Sequence, residues 1–311
     1  MKDSFIKILQ KLRELKYRII FMLIRIPETI RYMCCNKKIL LNVWIELNKN
    51  KVLHRNFGDE LNFYLIKKLS KKRIFNQSNI LCKNHENIMI IGSIIEMNTN
   101  KNSIIWGSGA MYGGQKKILE KPKKVLAVRG PLTRDFLLSQ GVDCPEVYGD
   151  PALLLPLIYQ PKVTKKYKLG IIPHYRDIDS EFLVNLKEDK EVKIFKLKGY
   201  DEDWQKMLDE ICACEFIVSS SLHGLIISDA YNIPNLWIKL SNKIGGGNFK
   251  FHDYFMSVGR NICEPVTIEH IISKEELYGY KNQYQSIVWN PEKLLKAAPF
   301  ELQLTQMISQ K

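Results

Sequence analysis

Along residues 4–26 apolar side chains recur at three- and four-residue spacing. Phe5, Ile8, Leu9, Leu12, Leu15, Ile19, Leu23 and Ile26 share one helical face, and Lys7, Lys11, Glu14, Arg18 and Arg25 lie off it. The pattern predicts an amphipathic helix. From Ile39 onward the period changes. Apolar runs of strand length at 39–45, 88–91, 103–106, 124–128, 168–172, 192–197, 215–218 and 235–238 alternate with helical patterns at 59–69, 131–140, 178–188, 202–213 and 221–231. Such alternation argues an α/β fold of parallel sheets covered by helices. Pro156 and Pro161 bracket a segment leading into the polar run from Lys162 to Lys168, a domain boundary by composition. The organisation expected is a helical segment at 1–38, a Rossmann-like domain at 39–160 and a second at 161–311, two doubly wound halves facing a cleft. No internal repeat is visible. The C-terminal residues Leu294, Leu295, Phe300, Leu302, Leu304 and Met307 read as a helix able to pack back on the first domain.

Charge sharpens the picture at the N-terminus. Of the net +14 over 311 residues, +7 falls in residues 1–38, where ten Lys or Arg face three Asp or Glu. This excess predicts an anionic partner. The longest apolar run there, Ile19 to Ile24, is far short of the roughly 20 residues that cross a bilayer, and no small-residue cleavage site follows it. Two readings stand: a helix lying in the face of an anionic membrane, or a helix docked on its own domain or on a second subunit. Nucleic acid is not expected, because the aromatics are not interleaved with Lys and Arg. Seven cysteines without a paired Cys-x-x-Cys spacing read as reduced thiols in a cytosolic setting. Cys212 and Cys214 with a histidine are the one zinc alternative, but the spacing does not match structural sites, so no metal is expected.

Candidate chemistry lies where predicted strands run into turns. Ser219-Ser220-Ser221-Leu222-His223-Gly224 follows the strand at 215–218 and opens a helix. Serines there suit an N-cap, and a helix N-terminus at the carboxyl edge of a sheet is where anionic ligands collect. His223 stands in the first turn, and Gly224 leaves the next position open. The competing reading is a capped core helix with a structural histidine. Asn56-Phe57-Gly58-Asp59 opens another helix, with Asp59 either a ligand contact or a cap. Trp106-Gly107-Ser108-Gly109 is a glycine-containing turn after a strand, where backbone can approach a ligand. It lacks a full dinucleotide fingerprint, and no phosphate loop of the Gly-Lys-Thr kind is present. Val128-Arg129-Gly130-Pro131-Leu132-Thr133-Arg134 delivers Arg129 to a sheet edge and Arg134 into a helix's opening turns, a clamp for phosphate or carboxylate. Arg134 has surface acids nearby with which to pair; Arg129 is expected to stay free of them. Asp150, in Gly149-Asp150-Pro151-Ala152-Leu153-Leu154, is an acceptor anchor or a turn-former. Gly245-Gly246-Gly247 makes a mobile loop before Lys250-Phe251-His252-Asp253-Tyr254, whose closure would carry Lys250 to a cleft ligand. His54, His85, His174, His252 and His270 read as structural or exposed.

Taken in order from Asn56 to Tyr254, six of these pieces resemble the polysaccharide pyruvyltransferase family. They are Phe-Gly-Asp at 57–59, Trp-Gly-Ser-Gly at 106–109, Val-Arg-Gly-Pro-Leu-Thr-Arg at 128–134, Gly-Asp-Pro-Ala-Leu-Leu at 149–154, Ser-Ser-Ser-Leu-His-Gly at 219–224 and Lys-Phe-x-Asp-Tyr at 250–254. Many members carry Arg before Leu-His-Gly where this chain has Ser221, which throws donor binding onto Arg129. The resemblance implies a glycosyltransferase-B-like fold and pyruvate transfer from phosphoenolpyruvate to a sugar of a bacterial surface glycan or its lipid-linked precursor, giving a ketal, with no cofactor beyond the donor substrate. On that reading His223 and Arg129 are catalytic. Asp59, Ser108, Gly109, Arg134, Asp150, Ser220, Ser221, Leu222, Gly224 and Lys250 bind substrate. The setting expected is cytoplasmic, peripheral on the inner membrane face. The alternatives are a nucleotide-sugar glycosyltransferase of the same architecture and a non-catalytic, membrane-associated glycan-assembly protein.

Overall fold

The computed structural model describes residues 22–44, 46–48, 51–54, 57–82, 84–196 and 203–303, together with Lys16 and Ile19. The strands of its first half are β1 (Lys38–Leu41), β2 (Glu46–Asn48), β3 (Lys51–His54), β4 (Arg73–Asn76), β5 (Asn87–Met89), β6 (Ser103–Trp106) and β7 (Lys124–Ala127). Those of its second half are β8 (Tyr167–Ile172), β9 (Val192–Ile194), β10 (Cys214–Ser219), β11 (Asn235–Lys239) and β12 (Val266–Thr267). Helix α1 covers residues 22–33. It is followed by α2 (Phe57–Ser70), α3 (Ile95–Asn98), α4 (Pro131–Ser139), α5 (Leu155–Ile158), α6 (Trp204–Cys212), α7 (Leu222–Ala230), α8 (Phe249–Ser257), α9 (Lys274–Gly279) and α10 (Glu292–Lys296).

Two five-stranded sheets result, in the orders β4-β1-β5-β6-β7 and β12-β11-β10-β8-β9, with β2 and β3 as a separate antiparallel pair. All neighbours within the two larger sheets are parallel. Numbered by their own sequence, both sheets have the strand order 2-1-3-4-5. In a doubly wound sheet the chain leaves β1 in one direction across the sheet and returns to β5 in the other, so a crevice opens outside the carboxyl ends of those two strands. The same holds for β8 and β10. These two switch points decide where a ligand can sit.

The central strands are apolar on both faces, as strands covered by helices must be: Leu41, Met89, Ile105, Leu169, Ile171, Phe216, Ile217 and Val218 are all fully buried. One hydrophobic cluster runs through Leu61 and Leu65 of α2, Leu153 to Leu155, and Leu225 and Ile226 of α7.

The departures from the sequence pattern have local causes. The expected helix at 178–188 is a 3-10 helix, Glu181–Leu186. Asp177 just before it is held by the hydroxyls of Ser220 and Ser241, and the buried Leu183 and Leu186 match a three-residue pitch. The strand expected over 39–45 stops at Leu41, where Asn42 turns its amide to Asn87 and Asn98. Among the described residues of that C-terminal pattern, Glu292–Lys296 is the helical part, since Pro299 offers no N–H to continue the ladder. That segment lies against the first sheet: Trp106 donates its indole N–H to the Leu294 carbonyl, Phe300 meets the Trp106 ring edge-on, and Gln303 N–H bonds to Leu69. Leu304 and Met307 lie outside the described residues, as do Phe5, Ile8, Leu9, Leu12 and Leu15 of the amphipathic pattern. In α1 the apolar residues Met22, Leu23, Ile24, Ile26, Ile30 and Met33 are exposed, while Tyr32 is buried. No helix among the described residues is long and apolar enough to cross a membrane.

Candidate active site

A cavity of about 300 Å³ lies where both switch points converge. The chain leaving β1 contributes Trp44, and the chain leaving β5 contributes Ser93 and Ile94. From the second sheet come His174, Tyr175 and Arg176 after β8, and Ser221, Leu222 and His223 after β10. Asp59 of α2, Tyr112 and Lys250 of α8 complete the polar lining.

The turn before α7 divides its three serines by task. Ser219 ties the end of β10 into the sheet, donating to the Ile172 carbonyl and accepting from Ser221 N–H. Ser220 accepts from His174 N–H and donates to Asp177, which fixes the neighbouring 173–177 turn. Ser221 occupies the N-cap position with extended backbone, φ −102° and ψ 130°, yet its hydroxyl makes no cap bond. Neither that hydroxyl nor the N–H groups of Leu222 and His223 have a partner among the described residues. A helix N-terminus with its donors open faces a cavity, an arrangement that favours an anion.

His223 is wedged against α2. A Cβ at position 58 would overlap the imidazole around Nδ1, so glycine there is a requirement of the ring's placement. Burial, then the cations Lys250 and Arg129, lower the His223 pKa to about 3. The same forces act on His174, where burial, then Lys250, Arg176 and His223, lower it to about 3. Both rings are neutral at pH 7. Lys250 is held down to about 8 by burial and by Arg129 and Arg176, against a smaller opposite pull from Asp59. It has no hydrogen bond or ion pair among the described residues, only a position 5.4 Å from the Phe251 ring centroid. Arg176 spends one nitrogen on the Lys243 carbonyl and makes no ion pair among the described residues. Among the described residues, then, neither of these two cations at the cavity has an ion-pair partner of its own.

Arg129 corrects the expectation that it stays free of acids. It is buried, and its Nε donates to Asp253 at 2.9 Å. Its other nitrogens donate to Ser93 Oγ and the Ala110 carbonyl. Asp253 also accepts from Thr133 N–H and Thr133 Oγ1. The guanidinium thus stands one layer behind the cavity wall, bracing Ser93 on one side and α8 on the other. Gly109 and Gly130 leave the space that this pair fills, since a Cβ at either would collide with Arg129 or Asp253.

Of the other residues singled out by sequence, Asp59, Ser221, Leu222 and Lys250 line the cavity with His223. Lys250 does so from the first turn of α8, already in place beside Gly245 rather than awaiting closure of the loop. The rest stand elsewhere. Ser108 is buried, donating to the Gly92 carbonyl. Gly224 packs on Ser219. Arg134 bonds the Cys144 carbonyl and pairs with the exposed Glu146. Asp150 caps the 3-10 helix Pro151–Leu154 by accepting from Ala152 N–H, and burial raises its pKa to about 6. Glu96, unremarked in the sequence, accepts the N–H groups of Met111 and Tyr112 and so sets that wall of the cavity. Arg176 was also missed, and His174, read as structural or exposed, lines the cavity from the strand end Ile171-Ile172-Pro173-His174 in the same sheet as Ser219. All seven cysteines are free thiols, and burial pushes Cys212 and Cys214 up to about 12, away from the thiolate a metal needs. Among the described residues no group of three or more His, Cys, Asp or Glu could hold a metal ion.

A model of the polysaccharide pyruvyl transferase family matches residues 6–242. The chain belongs to that family. The match takes in both sheets' switch points and every cavity residue named above except Gly245 and Lys250. Among curated proteins, the chain is 28% identical over 210 residues to an uncharacterised protein of Acanthamoeba polyphaga mimivirus, covering 66% of this chain and 71% of that one. It is 26% identical over 212 residues to the succinoglycan biosynthesis protein ExoV of Rhizobium meliloti, covering 66% of this chain and 62% of that protein. A polysaccharide is accordingly the acceptor class that the pyruvyl transferase family implies.

Proposed function

We propose that this chain transfers pyruvate from phosphoenolpyruvate to a sugar of a surface polysaccharide or its lipid-linked precursor, closing a pyruvate ketal over two hydroxyls. One observation carries the reading: Arg176, Lys250 and the open N-terminus of α7 surround a neutral His223 in a cavity of about 300 Å³. That volume is at the small end of ligand sites. It suits a three-carbon acid carrying phosphate and carboxylate beside one sugar ring better than a nucleotide sugar.

In this mechanism Arg176 takes a carboxylate or phosphate edge through two nitrogens, and Lys250 supplies a point charge. Ser221 Oγ with the amides of Leu222 and His223 receives the phosphate. Neutral His223 takes the proton of the attacking sugar hydroxyl as its oxygen bonds to C2 of the donor, then returns that proton to C3. Phosphate leaves C2 with its electron pair, and the second hydroxyl closes the ring, its proton passing to the phosphate. Arg129 enters as a positioning residue, acting through Ser93 and Asp253. Residues 39–160 and 161–311 are the two Rossmann-like domains of a glycosyltransferase-B-like enzyme in this account.

The purified protein should release phosphate from phosphoenolpyruvate only when a sugar acceptor is present. Consumption of a nucleotide sugar with phosphoenolpyruvate untouched would establish the glycosyltransferase alternative instead. Gly58→Ala should cost about 10²-fold in kcat/KM, the scale of a 1 Å displacement of a catalytic group, with circular dichroism unchanged. Undiminished turnover would separate His223 from the chemistry.

Residues 1–38 belong in this reading to the inner face of the cytoplasmic membrane, where a lipid-linked acceptor would be met. The exposed apolar residues of α1 and the basic excess around them suit an anionic interface. Sedimentation with anionic liposomes, weakened by salt, is the expected result; binding equal on neutral and anionic vesicles would exclude the electrostatic part.

A further inference from the structure

A second cavity, of about 320 Å³, adjoins the first and is bordered by Arg25, Asn42, Trp44, Gln77, Ser78 and Asn98. Trp44 lines both cavities, and α3 forms the rest of the partition, giving Met97 to the first and Asn98 to the second. The indole is 44% exposed, an unusual condition for so large an apolar surface at the end of a central strand. Among the described residues of this lining the polar groups are amides and a hydroxyl, with Arg25 as the charged side chain. The amides are braced: Asn98 Nδ2 donates to Asn42 Oδ1 at 3.2 Å, and Asn42 Nδ2 donates to the Asn98 carbonyl and to Asn87 Oδ1. Asn98 Oδ1 is left with no partner among the described residues.

An uncovered aromatic face beside braced amides, in a lining whose described residues include no acid, is chemistry for a neutral ring bearing hydroxyls. The indole face meets the ring's C–H groups, and the amides exchange hydrogen bonds with its hydroxyls. We propose that the second cavity holds the neighbouring sugar of the acceptor chain, with Trp44 as the platform across which the chain passes from one cavity to the other. The inference rests on the reading that the first cavity is the transfer site, and it makes the enzyme selective for a saccharide of at least two residues over a single sugar.

The test is binding of the full-length protein to an array of bacterial surface oligosaccharides from one to four residues long, run beside calorimetric titration with phosphoenolpyruvate. Wild-type protein should bind its best di- or trisaccharide at least tenfold more tightly than the component monosaccharides. Trp44→Ala should abolish that gain, and Trp44→Phe should keep most of it. Asn98→Ala, which lies outside the donor cavity, should reduce the gain and leave phosphoenolpyruvate affinity unchanged. Equal affinity for one and several sugars, no saccharide bound at any length, or an undiminished gain in Trp44→Ala would overturn the proposal. Length-dependent, Trp44-dependent glycan binding without phosphoenolpyruvate binding would leave this groove standing and remove the donor assignment instead.

Discussion

Replacing His223 with alanine or glutamine is expected to lower acceptor-dependent phosphate release by about 10²–10⁴-fold, the usual contribution of a placed acid–base group. The reason is its protonation state. Burial with Lys250 and Arg129 nearby lowers the His223 pKa to about 3, so the ring meets the acceptor hydroxyl as a base throughout the neutral range. The acid limb of the rate should therefore not fall near pH 6.5. The alkaline limb has a different owner. Lys250 loses its proton through about 8; it is charged below that pH and neutral above it, so donor affinity should fall as pH rises past 8, by up to about tenfold per unit for one required proton. Lys250→Met should remove that limb while weakening donor binding at every pH. The check is kcat/KM for phosphoenolpyruvate between pH 5.5 and 9.5. A His223→Gln enzyme within threefold of wild type would contradict the assignment.

Asp253→Asn should destabilise the fold by about 3–5 kcal/mol, the cost of leaving a buried guanidinium without its counter-charge. Asp253 and Arg129 are both essentially inaccessible to solvent, and Asp253 also holds Thr133 by its N–H and its hydroxyl. The pair joins the β7–α4 turn to α8, so its loss should loosen the helix that presents Lys250 as well. Thr133→Val, which removes the charged bond to Asp253 and the bond that Thr133 Oγ1 accepts from Ala110 N–H, should cost at least about 1.5–3 kcal/mol. Urea unfolding measures both. A change below about 1 kcal/mol in Asp253→Asn would mean that water reaches the pair and that Arg129 is available to a ligand after all.

The motif residues were legible in the sequence, but their directions were not. Arg129, Asp253 and Lys250 all stand in recognisable strings, yet a string does not say that Arg129 turns inward to Asp253 while Lys250, three residues before that acid on α8, faces the cavity. Glycines behave similarly: Gly58, Gly109 and Gly130 are there because His223, Arg129 and Asp253 fill the space beside them, contacts between distant parts of the chain. Most of the central strands could be read from apolar runs, because buried parallel strands are continuous in hydrophobicity. Strand β4 could not, having only Ile74 and Phe75 between polar residues at the sheet edge. Helix α8 was readable in principle. Phe251, Tyr254, Phe255 and Val258 follow helical spacing and are all buried, yet the segment is not among the helical patterns expected from the sequence. Arg176 was hidden for another reason: only the strand order makes the ends of β8 and β10 neighbours at a switch point.

The central claim is that the cations and helix N-terminus around His223 hold phosphoenolpyruvate. Isothermal titration of the full-length protein with phosphoenolpyruvate, and separately with uridine and guanosine diphosphate sugars, tests it most directly. The account predicts saturable binding of phosphoenolpyruvate that weakens at least tenfold in Arg176→Ala and in Lys250→Met, with no binding of the nucleotide sugars. Tight nucleotide-sugar binding, or phosphoenolpyruvate affinity unchanged in both variants, would contradict it.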